Sequence, residues 1–88
     1  MLEHIRLKLK NYKREPFSFL ETLDCRYKEH RFMITVIEAG DRVLHFALEP
    51  EDNLFEILDK VEKENCVLTV IVTDYKKHQH FYKILERK

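Results

Sequence analysis

Hydrophobic and polar positions alternate along the start of this chain. Ile5, Leu7 and Leu9 fall on one side of the segment 2–12, and Arg6, Lys8 and Lys10 on the other. A period of two with one polar face predicts a half-buried strand. Lys13-Arg14-Glu15-Pro16 reads as a break after it. Residues 17–29 fit two patterns. As a helix, with Pro16 at its first turn, they carry a stripe of Phe19, Leu20, Leu23 and Tyr27. As a strand, Phe17, Phe19, Leu23, Cys25 and Tyr27 share a face.

The next segment is clearer. Arg31 to Glu38 is apolar and β-branched, Ala39-Gly40-Asp41 has turn chemistry, and Arg42 to Glu49 alternates again. Together they predict a β-hairpin. Leu44, Phe46 and Leu48 take one face of its second arm and point to the core, while Val43, His45 and Ala47 take the other. Pro50 is expected to open a helix with Glu51 and Asp52 at its positive end. Leu54, Leu58 and Val61 form its apolar stripe, and Asn65 is the expected left-handed cap. Cys66 to Thr73 predicts a strand covered on both faces. Residues 75–88 read either as a terminal helix, with Phe81, Ile84 and Leu85 on one side, or as a strand hairpinned onto the one before.

This order predicts one α+β domain over residues 1–88, a small antiparallel sheet with amphipathic helices. A ferredoxin-like βαββαβ arrangement is preferred. An N-terminal β-meander followed by helix, strand and helix is the alternative. In the preferred order Phe32–Ile37 is a candidate edge strand.

Composition narrows the function classes. The chain has 88 residues, 44% of them apolar, and sixteen Lys and Arg balance sixteen Asp and Glu. That balance argues against a strongly basic nucleic-acid packer and against a disordered tail. With one glycine, Gly40, no Gly-rich phosphate loop can be written. Cys25 and Cys66 are too few for a disulfide framework and read as small buried hydrophobes in a reducing, cytoplasmic setting. The longest strongly apolar run, Val67 to Val72, is six residues. A membrane span needs about 20, so no membrane association is expected.

The net zero conceals a strong pattern. Residues 1–31 carry +3, residues 32–66 carry −6 and residues 67–88 carry +3. Two contact surfaces follow from it. The basic one comprises Arg6, Lys8, Lys10, Lys76 and Lys77, and the acidic one Glu51, Asp52, Glu56 and Asp59. Such surfaces suit a protein partner or a second copy of the chain. The basic surface would also support weak, salt-dependent contact with nucleic-acid phosphates, but exposed aromatics for base stacking are missing from the first strand.

Chemistry-bearing clusters are few. His78 and His80, with Tyr82, would project to one side of a strand, yet a zinc site needs three or four ligands and no further spacing signature surrounds them. Ser18, His45 and Asp74 compose a triad on paper, without a nucleophile elbow. No cofactor is expected. The sequence therefore predicts a non-enzymatic interaction or regulatory module that self-associates as a homodimer. Weak nucleic-acid binding is the second expectation, and a small hydrolase or nuclease using His78, His80 and Tyr82 the third.

Overall fold

The computed structural model describes residues 12–16 and 29–87. Among them are five strands and one helix: β1 (Lys13–Pro16), β2 (Phe32–Glu38), β3 (Arg42–Ala47), α1 (Leu54–Glu62), β4 (Val67–Asp74) and β5 (Gln79–Ile84). The strands form one antiparallel sheet in the order β1-β5-β4-β2-β3. This is a small α+β arrangement. The ferredoxin-like order is not confirmed, and both the first expected strand and the ambiguous segment 17–28 lie outside the described residues.

Position in the sheet explains the strand sequences. β2 lies between β3 and β4, so it is not the expected edge. Its first five residues, Phe32 to Val36, are all buried. That is why the strand is apolar without alternation: both of its faces are covered. Phe32, Ile34 and Val36 pack with Val70 and Val72 of β4, Phe81 of β5, and Leu54 and Leu58 of α1 to form the core. The opposite face is buried at its centre by Met33, Thr35, Thr73 and His80.

One extra residue in β4 reconciles sequence period with packing. Ile37 pairs with Thr69 but Glu38 pairs with Val67, so Leu68 is skipped. The bulge turns Val67 toward the core and leaves Leu68 exposed. A strict period of two would have set Val67 on the same face as Thr69.

The turns follow from local chemistry. Gly40 (φ 82°) and Asp41 (φ 62°) are both left-handed in the β2–β3 turn, and Glu38 pairs with Arg42 across it at 3.4 Å. Glycine bears a positive φ without steric cost, and Asp tolerates it better than most residues. The β4–β5 turn is organised by the Asp74 carboxylate, which accepts from the amides of Lys76 (3.0 Å) and Lys77 (3.3 Å). Residues 79–84 are a strand hairpinned onto β4, so the terminal-helix alternative does not hold.

Three further expectations need correction. Lys13–Pro16 is a strand paired with β5, not a break. Proline is tolerated there because it sits at the end of an edge strand, where a missing N–H costs little. The helix begins at Leu54 rather than at Pro50, because Asn53 supplies the cap. Its Oδ1 accepts from the amides of Phe55 (3.1 Å) and Glu56 (3.2 Å). The helix ends without a left-handed Asn65: Lys63 is its right-handed C-cap, and the only positive-φ non-glycine residues among those described are Asp41 and His78. The Arg87 side chain fills that role instead. Its guanidinium donates to the carbonyls of Glu62, Glu64 and Val67, placing a cation at the negative end of the helix.

Candidate functional site

The two edges of the sheet differ in sequence. β1 has four residues and carries Lys13, Arg14 and Pro16. Short length, basic side chains and proline are the usual devices that keep a sheet edge from pairing with another chain. β3 has six residues, Arg-Val-Leu-His-Phe-Ala, with its only charge at the first position. Val43 is 50% exposed and Phe46 is 44% exposed. Phe46 does lie on the helix side of the sheet, as its alternation predicts. It escapes full burial because α1 packs on the strands nearer the centre and the edge extends past it.

Register settles which backbone groups of β3 bond to β2. Met33 pairs with Ala47, and one step further the Leu48 amide donates to the Phe32 carbonyl at 2.9 Å. Hydrogen-bonded and non-hydrogen-bonded pairs alternate in an antiparallel ladder. Phe46, Leu44 and Arg42 therefore bond to Ile34, Val36 and Glu38. Val43, His45 and Ala47 aim their N–H and C=O groups away from β2. The side-chain bond between Thr35 Oγ1 and His45 Nδ1, at 2.9 Å, agrees with this, since non-hydrogen-bonded pairs bring side chains closest.

The sequence-predicted surfaces assemble only in part. Lys76 and Lys77 are exposed, but their amides are committed to Asp74. Arg6, Lys8 and Lys10 lie outside the described residues. The acidic set is exposed: Glu51 and Asp52 in the turn before α1, Glu56 and Asp59 on the helix. Asp52 accepts from the Glu49 amide at 2.9 Å and so holds the turn together.

Beside that turn is an open cavity of about 820 Å³, walled by Phe32, Leu48, Leu54 and Phe55 and rimmed by His30 and Glu49. His30 and Glu49 approach to 3.8 Å. The acidic rim and the helix start suffice to account for the local polarity.

The histidine cluster does not assemble. His78 sits in the β4–β5 turn with φ 53°, exposed, while His80 is buried on the sheet face opposite α1. A left-handed residue between strands breaks the alternation that would have aligned the two. Tyr82 shares the face of His80, with ring centroids 6.3 Å apart, and Lys13 Nζ lies 5.8 Å from the Tyr82 ring centre. Among the described residues no three His, Cys, Asp or Glu side chains converge as metal ligands would. Of the paper triad, Ser18 lies outside the described residues, His45 bonds Thr35 and Asp74 serves its turn.

Cys66 is exposed, not buried as expected. Its thiol donates to Glu38 at 2.9 Å, and that bond, with the adjoining negative charge, pushes its pKa up. A raised thiol pKa is the reverse of what a nucleophile needs.

Sequence reasoning missed the β3 edge because it assigned the edge to β2. The available signal was the contrast between the unbroken apolar run of β2 and the alternation of β3, since an edge strand is the less covered of a hairpin pair. Compared with known proteins, the chain matches no family model, no curated protein and no solved structure.

Proposed function

We propose that this chain is a non-enzymatic protein-interaction module and that its binding element is the β3 edge. The observation that supports this reading is the combination at one place of the outward-aimed backbone groups of Val43 and Ala47 with exposed Val43 and Phe46. A partner strand laid along β3 would gain main-chain hydrogen bonds, while the alternate side chains would supply specificity. The acidic turn and helix, from Glu51 to Asp59, would steer the encounter rather than hold the complex.

A synthetic peptide with the sequence of residues 42–48 is a direct probe. It would be titrated into isotope-labelled protein, dilute enough to be monomeric, and followed by amide chemical shifts. The expected result is that the amides of Val43 and Ala47 shift most and gain protection from exchange. An unchanged β3 at millimolar peptide would overturn the reading.

A further inference from the structure

We infer that β1 is a separately opening edge strand, fastened to the rest of the fold by a latch of Tyr12, Glu62 and Lys83. It lies at the far edge of the sheet from β3, and its latch does not depend on what β3 binds.

The main-chain attachments of β1 follow from register. The Leu85 amide donates to the Leu68 carbonyl at 2.8 Å, and hydrogen-bonded pairs alternate from there along β5. Phe81 and Lys83 therefore bond to Val72 and Val70 of β4, while His80 and Tyr82 bond to Glu15 and Lys13 of β1. That gives about four main-chain hydrogen bonds to β1. Pro16 falls at a pair that needs no N–H. The Lys13 and Arg14 side chains are exposed, while Tyr12, just before the strand, packs against the core.

Tyr12 is also where strand and helix are tied. Its hydroxyl donates to Glu62 Oε1 at 3.2 Å, and Lys83 Nζ meets the same oxygen at 2.9 Å. Lys83 Nζ lies 5.6 Å from the centre of the Tyr12 ring. One carboxylate thus joins the N-terminal edge, the end of α1 and β5. Arg87 donates to the carbonyls of Glu62, Glu64 and Val67 and keeps that helix end in place. Burial, then the charge and bond of Glu62, then the charge of Asp59, hold the Tyr12 hydroxyl protonated well above its ordinary range, so it stays a donor. A four-residue strand with few hydrogen bonds opens before the core does. How often it opens is set at the one shared oxygen.

Amide exchange of the intact chain, at neutral pH and in urea below the unfolding transition, tests this. Thr35 and Ile71 pair at the centre of the sheet and report global unfolding. The Lys13, Glu15, His80 and Tyr82 amides should exchange faster than these, and with a smaller urea dependence, because local opening exposes little surface. Tyr12→Phe removes one hydrogen bond and should speed the β1–β5 amides about three- to tenfold. The central amides should speed by the same factor, since global unfolding also breaks the latch. Ile34→Val, in the buried core, should speed Thr35 and Ile71 about two- to tenfold and leave the β1–β5 amides unchanged. Glu62→Ala should match or exceed Tyr12→Phe, and the double variant should be no faster than Glu62→Ala alone.

Equal acceleration of both sets of amides by Ile34→Val would overturn separate opening. Unchanged β1–β5 amides in Tyr12→Phe would overturn the role of Tyr12. Effects that multiply in the double variant would overturn its bond to Glu62 as the latch.

Discussion

Asp74 gives the sharpest test of how this fold is held. Its carboxylate is 1% exposed, yet it carries a formal charge. Two backbone amides, Lys76 and Lys77, donate to it, and Arg31 Nη2 stands 3.6 Å away, an ion pair but too long for a hydrogen bond. Arg31 is itself only partly satisfied. Its Nε and Nη2 are buried without hydrogen-bond partners, and its guanidinium lies over the Phe32 ring at 4.8 Å.

Asp74→Ala removes the acceptor of both turn amides and strands the guanidinium. A lost charge-assisted hydrogen bond costs about 1.5–3 kcal/mol, and breaking a buried pair by removing one partner costs about 3–5 kcal/mol in all. Asp74→Asn keeps an oxygen for the turn amides and loses only the charge, at about 1–2 kcal/mol. Arg31→Met keeps the apolar contacts but leaves the buried Asp74 carboxylate without its cation, and should cost about 3–5 kcal/mol.

In a domain of this size 1 kcal/mol moves Tm by about 4–8 °C. Thermal and urea melts should therefore rank Asp74→Ala and Arg31→Met well below Asp74→Asn. Total stability is about 5–15 kcal/mol and smallest for short chains, so the Ala variant approaches unfolding at room temperature. Equal losses for Ala and Asn would refute the view that the turn amides, rather than the charge, account for most of the contribution of Asp74.

Two further outcomes follow from buried polar groups. Thr73 is fully buried and its Oγ1 has no hydrogen-bond partner, so the isosteric Thr73→Val should stabilise the fold by about 1 kcal/mol in urea titrations. Burial, then the charge of Glu62 and the 3.2 Å bond to its carboxylate, raise the Tyr12 pKa well above the ordinary value of about 10. The unfolded chain then loses that proton first, so this contribution is complete below about pH 10 and is lost as pH rises. Urea melts between pH 9 and 11 should show a declining contribution in the native chain that is absent in Tyr12→Phe.

Legibility in the sequence tracks how local the causes are. The β2–β3 hairpin, the apolar stripe of α1 and the strand from Val67 were legible because each is written in contiguous residues. The start of α1 was misplaced by three or four positions, since Pro50 and Asn53 both carry start signals and only Asn53 has its side chain aimed at free amides. Cys66 was expected inside because free cysteine is commonly buried. It lies outside because it falls in the turn before β4, not in the strand. The candidate site was the least legible. His78 and His80 are two residues apart, and one left-handed φ at His78 separates them.

By itself, the sequence determined the kinds of element and most of their extents, because periodicity, turn residues and caps act over a few neighbouring positions. It also determined the charge pattern and the near-absence of backbone-permissive glycine. Only the tertiary structure decided the neighbours: that β2 is central, that Lys13–Pro16 joins the sheet, that Leu68 is bulged out, and that β3 ends the strand order among the described residues. Strand order depends on pairings between residues tens of positions apart, which no local pattern encodes. The proposed function sits at the place where that pairing stops.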